Sequence, residues 1–150
     1  VVALTNKDEK FLTELGAASS IKRDSFNYTK NPLSKQKWQG AIDTVGGEIL
    51  STILTETMYD GIVVSTGLAK SATLNTTVYP FILRNITLSG IDCVYASYTK
   101  RVNAWKFLEK YLDKRILKKI KVSKSFNDLH DISNQILKGE IRGRTLIKVI

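Results

Sequence analysis

Short apolar runs alternate along the chain with segments in which apolar residues recur every three or four positions. The first run, residues 1–4, is almost continuously apolar, as buried parallel strands are. In the next segment Phe11, Leu12 and Leu15 fall on one helical face. The pattern predicts strands at residues 1–5, 19–22, 41–45, 61–65, 86–91, 119–122 and 145–150. It predicts helices at 7–16, 48–58, about 80–83, 100–117 and 127–138, with a loop at 24–37.

This order of elements predicts an α/β fold. Strands separated by single helices pair in parallel through right-handed crossovers, so we expect a doubly wound parallel sheet. In such sheets ligands lie outside the carboxyl ends of the strands. This rule selects four segments as candidate ligand contacts: residues 5–7, 46–47, 66–68 and those after Ile91.

The phosphate-binding loop of a dinucleotide fold is missing from the sequence. A G-x-G-x-x-G run should follow the first strand and open a helix, and neither residues 5–7 nor Gly46-Gly47 have that form. We therefore predict a partial Rossmann-type sheet entered at its second strand, in a piece of a larger enzyme. The absent strand is central in the order 3-2-1-4-5-6, which leaves a slot of about 10 Å. We expect this sheet to be unstable unless another segment of the parent, or another chain, fills the slot.

Positive charge is concentrated in one segment. The chain carries 23 Lys and Arg against 14 Asp and Glu, a net charge of +9. Residues 100–124 hold ten basic residues against Glu109 and Asp113, so this segment carries +8 and the remainder about +1. Such a segment is either a face for phosphates or RNA, or a solvated helix. We favour the solvated helix, because no aromatic platform or groove-reading motif accompanies the charge.

The residue types present restrict other chemistry. Cys93 is the only cysteine and His130 the only histidine, so the chain offers neither an internal disulfide nor a Cys/His zinc site. A Ser-His-Asp set is not expected with one histidine in a predicted helix. No apolar run approaches the roughly 20 residues of a membrane span, and no leader with a cleavage site is recognisable. We therefore predict a cytoplasmic protein and no metal site.

Asp43 is a carboxylate near the end of a predicted strand, a position at which it could contact a ligand. It could bind a ribose hydroxyl, or it could hold the Gly46-Gly47 turn that follows. We favour the second, structural interpretation.

Five motifs occur together: AIDTVG at 41–46, GIVVSTGLA at 61–69, TTVYPFILRN at 76–85, LSGID at 88–92 and GRTL at 143–146. With them the chain resembles the zinc-independent, quinone-oxidoreductase-like medium-chain dehydrogenases/reductases, and most of all their acrylyl-CoA reductase subgroup. The resemblance spans essentially the whole chain, and the PFILRN-x-x-L-x-GID run is specific to that subgroup. It implies a two-domain parent, with residues 1–118 in an incomplete NADP-binding Rossmann domain. Residues 119–150 would return, as strand, helix and strand, to an absent GroES-like catalytic domain.

The resemblance also implies cofactor contacts where residues match the family. Thr5, Asn6 and Lys7 would hold the 2′-phosphate of NADPH, and Arg23 would lie against the adenosine end. Leu68 and Ile82 would lie beside the nicotinamide half. Arg144, in the returning tail, would also contact the cofactor. Cys93 falls at a further contact where the family typically has a small hydroxyl residue. In related reductases the strand at 86–91 pairs with its copy, which implies a homodimer; its alternating pattern without Pro or Lys agrees with this.

The residues after the first strand support NADP independently. Enzymes that use NAD place a carboxylate at the end of the second strand to bind the ribose hydroxyls, and that charge repels a 2′-phosphate. Here the strand ends in Thr5-Asn6-Lys7, two neutral hydrogen-bonding side chains and a cation, with Asp8 as the nearest acid. Lys7 could instead be a solvated turn lysine.

Two functions therefore remain open. The first is the cofactor-binding portion of an NADPH-dependent oxidoreductase that reduces an activated double bond in an acrylyl-CoA, quinone or enone substrate. The second is a non-enzymatic nucleotide- or nucleic-acid-binding module that uses the basic segment 100–124. On the first interpretation this portion alone is expected to bind the adenosine end weakly and to reduce nothing, and no residue can be assigned a catalytic role.

Overall fold

A computed structural model describes residues 1–6 and 8–149. The strands are β1 (Val2–Leu4), β2 (Ser19–Ile21), β3 (Trp38–Asp43), β4 (Thr57–Ser65), β5 (Thr87–Gly90), β6 (Lys121–Ser125) and β7 (Arg144–Lys148). The α-helices are α1 (Glu9–Glu14), α2 (Gly47–Glu56), α3 (Tyr79–Arg84), α4 (Tyr98–Tyr111), α5 (Lys114–Ile120) and α6 (Leu129–Leu137). Single 3-10 turns occur at Arg23–Ser25 and Phe126–Asp128. Lys7 and Ile150, predicted to begin a helix and end a strand, lie outside the described residues.

All strand pairs are parallel, as the alternation of strands and helices predicted. β1 pairs with β2, β3-β4-β5 form a three-stranded sheet, and β6 pairs with β7. Within the described part of the chain no strand links the first sheet to the second. The pairing of β1 with β2, and of β3, β4 and β5 with one another, agrees with the strand order expected from the sequence.

The chain divides into two compact units. The first unit contains Val1–Lys22 and Tyr98–Ile150, and the second contains Arg23–Ser97. Each unit is described by itself below. The domain boundary predicted between residues 118 and 119 stays a prediction.

The second unit has a clear hydrophobic core between α2 and the three-stranded sheet. Leu50 and Leu54 of α2 pack with Val63 of β4 and with Ile86, and Leu54 and Val63 are fully buried. Full burial of one such side chain stabilises a fold by about 1.5–3 kcal/mol, so this small cluster accounts for much of the stability of the unit. It anchors β4 and β5, whose carboxyl ends carry the candidate site.

Arg84 of the PFILRN run ties α3 to the start of β4. Its guanidinium donates to the carbonyl oxygens of Ser34 at 2.6 Å, Thr55 at 2.7 Å and Thr57 at 3.2 Å. Of these acceptors, the carbonyl of Thr55 lies in the last turn of α2, where the helix itself leaves the carbonyl groups unpaired.

The predicted long helix at residues 100–117 was wrong. The structure has two helices, α4 and α5, separated at Leu112-Asp113. The carboxylate of Asp113 accepts a hydrogen bond from the backbone N–H of Arg115 at 2.8 Å, which starts a new helix. As a result α5 extends to Ile120. The strand predicted at 119–122 therefore begins two residues later, at Lys121, and is β6.

The helix predicted at 48–58 ends earlier than expected. α2 stops at Glu56, and Thr57 already pairs with Trp38 as the first residue of β4. The register then shifts, so that Gly40 pairs with Ile62. β3 accordingly begins at Trp38, three residues before the predicted strand.

Candidate functional site

A groove opens at the carboxyl ends of β4 and β5. Its volume is about 550 Å³. We call it the strand-end groove; it is lined by Ser65, Thr66, Gly67, Leu68, Ala72, Gly90, Ile91 and Asp92. Two of the segments selected from the sequence, residues 66–68 and those after Ile91, therefore meet at one edge of the sheet, where parallel sheets bind ligands.

The floor of this groove is a loop at residues 66–71 held by main-chain hydrogen bonds. The N–H of Thr66 donates to the carbonyl of Asp43 at 2.8 Å, and that of Lys70 donates to the carbonyl of Val45 at 2.9 Å. Ile91 continues the pairing on the other side through its N–H to the carbonyl of Ser65 at 3.0 Å. The backbone of the groove is thus an extension of the sheet ladder.

Gly67 is required where this loop crosses the end of β3. A Cβ atom at this position would lie 2.5 Å from the carbonyl oxygen of Thr44, which is backbone and cannot move aside. Gly90, across the groove, has open space around the same position. Packing therefore requires a glycine at position 67 but not at position 90.

Asp43 holds the turn after β3, as the favoured interpretation of the sequence stated. It is 3% exposed, and its carboxylate accepts hydrogen bonds from the N–H groups of Val45 at 3.2 Å and Gly46 at 2.9 Å. These bonds engage both carboxylate oxygens inside the protein. The structural interpretation of Asp43 is confirmed.

The exposed surface of the groove is mainly apolar. Leu68 is 66% exposed, and Ile91 is also exposed, so an apolar ring would cover surface that water now contacts. The Asp92 carboxylate already accepts from the N–H groups of Val94 and Tyr95, both at 2.9 Å. Among the described residues that line the groove, no nucleophile is hydrogen-bonded to a base.

The other predicted contacts in the second unit lie outside the groove lining. Ile82 is on α3 and 68% exposed. Cys93 follows Asp92 directly and is exposed. Arg23 begins the 3-10 turn after β2. Their roles as cofactor contacts stay predictions.

Thr5 and Asn6 lie at the carboxyl end of β1, in the first unit. The N–H of Thr5 donates to the carbonyl of Ile21 at 2.9 Å, which extends the β1-β2 pairing by one residue. Asn6 is exposed, and the predicted Lys7 lies outside the described residues. Arg144, also in this unit, opens β7 opposite Lys121.

Sequence analysis missed Arg142. Its Nη1 lies 2.5 Å from the Oδ2 atom of Asp8, and its guanidinium lies 4.3 Å from the centroid of the Phe11 ring. The N–H of Phe11, and then Arg142, hold the pKa of Asp8 below its ordinary 3.8, although burial acts in the opposite direction. No local pattern could reveal this pair, because its two members are 134 residues apart in the chain.

No group of three His, Cys, Asp or Glu side chains within residues 1–6 and 8–149 is placed to hold a metal ion. In the same residues no helix is long and apolar enough to cross a membrane.

Parallel strands joined by helices, with a groove at the strand ends, define a doubly wound nucleotide-binding fold. No family model matches the chain. Acrylyl-CoA reductase of Ruegeria pomeroyi is 38% identical over 152 residues, which are 99% of this chain and 46% of that protein.

Solved structures agree with this relationship. The YhdH oxidoreductase from Salmonella enterica in complex with NADP matches with a TM-score of 0.93 and 37% identity, covering 100% of this chain and 47% of that one. Bacillus subtilis protein YhfP with NAD bound matches with a TM-score of 0.92 and 38% identity, covering 99% and 46%. The chain is thus similar along its whole length to proteins named as acrylyl-CoA reductases and as a quinone oxidoreductase. It spans about half the length of the curated relatives it matches.

Proposed function

We propose that the chain is the cofactor-binding portion of an NADPH-dependent, zinc-independent oxidoreductase that reduces an activated double bond. The observation that carries the proposal is the similarity along the whole chain to acrylyl-CoA reductase, together with a structural match to an oxidoreductase in complex with NADP. The substrate would be an enoyl-CoA such as acrylyl-CoA, a quinone or another enone; the Bacillus subtilis relative is named for quinone oxidoreduction. The nucleic-acid interpretation of the basic segment gains no support from these relatives.

The strand-end groove suits the nicotinamide half of a dinucleotide. When bound, NADPH supplies the hydride that such a reduction consumes. The chain would orient it: Leu68 offers an apolar wall, and Gly67 lets the 66–71 loop that carries Leu68 pass close to the end of β3. Ile82 and Cys93 are proposed as further contacts of this half.

The carboxyl end of β1 suits the adenosine end. Thr5 and Asn6 supply neutral hydrogen-bonding side chains there, and Lys7 supplies a cation in the sequence. Arg23, and Arg144 from the tail, are proposed as additional contacts. A 2′-phosphate is favoured by these residues, whereas the ribose hydroxyls of NAD are best bound by a carboxylate at the strand end. Since one relative has NAD bound, the preference must be measured.

The first test is oxidation of NADPH by the protein at its full natural length. Loss of absorbance at 340 nm is followed with acrylyl-CoA, a benzoquinone and a simple enone, each with NADPH and with NADH. We expect NADPH to be oxidised faster than NADH with at least one of the three. A protein that binds a short RNA at physiological salt but neither dinucleotide would contradict the proposal.

Leu68→Glu is the matched variant for the groove. It places a charge where an apolar ring should contact the protein, and burying an unpaired charge is unfavourable. We therefore expect a KM for NADPH raised at least tenfold, which corresponds to about 1.4 kcal/mol of lost binding free energy. Leu137→Glu on α6 is the control, because Leu137 is also a highly exposed leucine but lies outside the groove lining. Equal effects of the two variants would argue against the groove.

We also propose that β5 joins two copies into a homodimer. It forms one edge of the three-stranded sheet, pairs with β4 alone among the described strands, and carries no Pro or Lys. An edge strand of this kind can pair with its own copy across a two-fold axis. Sedimentation of the full-length protein should give a dimer. Gly90→Pro should give monomer, because the N–H of Ile91 faces β4 and, by alternation along the strand, that of Gly90 faces the open edge, where proline cannot donate to a ladder. A monomeric full-length protein would exclude this assembly.

A further inference from the structure

Asp8 creates an electrostatic problem for the proposed cofactor. It lies three residues after Thr5, where the proposed function puts the 2′-phosphate, so the Cα atoms of these two residues are at most about 11 Å apart. A carboxylate and a dianionic phosphate repel each other, and at physiological salt this repulsion is effective within about 8 Å, the Debye length. A cation beside Asp8 would remove this repulsion.

The structure supplies that cation from the far end of the chain. Arg142 pairs with Asp8 through Nη1, and the face of Phe11 supports the guanidinium at 4.3 Å. Asp8 is fixed in turn, because its Oδ1 accepts the N–H of Phe11 at 3.0 Å. Both partners stay partly open to solvent, with side-chain exposures of 56% for Arg142 and 42% for Asp8. A ligand can therefore reach the pair.

We propose that Arg142 is a specificity-determining residue for the 2′-phosphate of NADPH. This inference rests on the proposed function and concerns the same adenosine end of the cofactor. The guanidinium neutralises Asp8 through one N–H group, and it has further N–H groups in a planar fork that suits phosphate oxygens. The tail of the chain thereby sets the charge of the turn after β1, and removal of Arg142 would leave Asp8 as a carboxylate of the kind that NAD-dependent enzymes use.

A second pair in the first unit provides a matched control. Asp113 begins α5 as Asp8 begins α1, and its Oδ2 lies 2.8 Å from the Nη2 of Arg115. That pair lies between two helices and does not follow a strand. Arg115→Gln removes the same type of charge from the same type of pair, away from the proposed site.

The experiment measures binding of two probes by titration calorimetry. Adenosine 2′,5′-bisphosphate carries the 2′-phosphate, and adenosine 5′-monophosphate lacks it. For Arg142→Gln we expect binding of the bisphosphate to weaken about tenfold, the usual scale of one charged hydrogen bond, with the monophosphate unchanged. Arg115→Gln should change neither. Asp8→Asn in the Arg142→Gln background should restore part of the loss, because it removes the exposed repulsion.

The outcomes separate this inference from the proposed function. A wild-type protein that does not prefer the bisphosphate would overturn both. A wild-type preference that survives in Arg142→Gln would overturn the role of Arg142 alone. Equal weakening of both probes in Arg142→Gln would also overturn it, since the arginine would then act only on the fold of the turn.

Discussion

Replacing Asp43 by Asn tests whether a buried carboxylate holds the end of β3. The two residues have the same shape, so the change exchanges one oxygen for an NH2 group and removes the charge. In the wild-type protein both oxygens face backbone N–H groups, at 2.9 and 3.2 Å. The new NH2 group would face one of those N–H groups and could not accept from it.

The expected cost follows from these contacts. A hydrogen bond to a charged group contributes about 1.5–3 kcal/mol, and a buried polar group left without a partner costs a further ~1–3 kcal/mol. Partial relaxation of the turn reduces the sum, so we expect Asp43→Asn to lower the free energy of unfolding of the second unit by about 2–4 kcal/mol. With a denaturant slope of about 2 kcal/mol/M, the urea midpoint should fall by roughly 1–2 M.

Trp38 reports on this unit directly. It opens β3, and its Nε1 donates to the buried Glu56 at 3.0 Å. Urea unfolding is therefore followed by the fluorescence of Trp38 in a Trp105→Phe background, which removes the exposed tryptophan of the first unit. Each variant is compared with that background.

Asp92→Asn is the matched control. Asp92 also accepts two backbone N–H groups, but a single oxygen takes both and the residue is exposed. An amide oxygen can replace it, so the urea midpoint should move by less than about 0.5 M. If Asp43→Asn cost no more than Asp92→Asn, the claim that Asp43 organises the turn would be wrong.

Two further predictions concern Gly67 and Asp8. Gly67→Ala should lower the melting temperature and weaken NADPH binding, because its methyl group meets the carbonyl of Thr44, whereas Gly90→Ala should change neither in thermal unfolding and dinucleotide titration. In an NMR titration, Arg142→Gln should raise the pKa of the Asp8 carboxyl toward 3.8 without reaching it, since the N–H of Phe11 still donates. A lowered pKa in the folded state means that Asp8 stabilises the protein above pH 3.8 and loses that effect as the pH falls from there through its own pKa. In the variant the effect should be smaller and its loss complete at higher pH; an unchanged pKa would rule out the ion pair in solution.

Local sequence signals predicted the class and order of the elements. Parallel pairing followed from the alternation of strands and helices, and the groove followed from the rule about strand ends. These features depend on residues close together in sequence.

Features set by distant residues were missed. β4 begins at Thr57 because that residue pairs with Trp38, and no periodicity within 48–58 signals such a partner. The break between α4 and α5 has a local signal, the N-cap residue Asp113. The apolar and basic pattern continues across this residue, however, and by itself predicts one long helix. Arg142 joins Asp8 across 134 residues, which only the folded chain reveals.

The main-chain attachment of the 66–71 loop has a consequence for its exposed side chains. Because the ladder to residues 43–45 and the close approach of Gly67 to Thr44 fix its path, the exposed side chains of Thr66 and Leu68 contribute little to folding. They can be exchanged at small cost to stability, while each exchange reshapes the wall of the strand-end groove. On the proposed function, a saturation library at these two positions should alter ligand preference before it lowers stability.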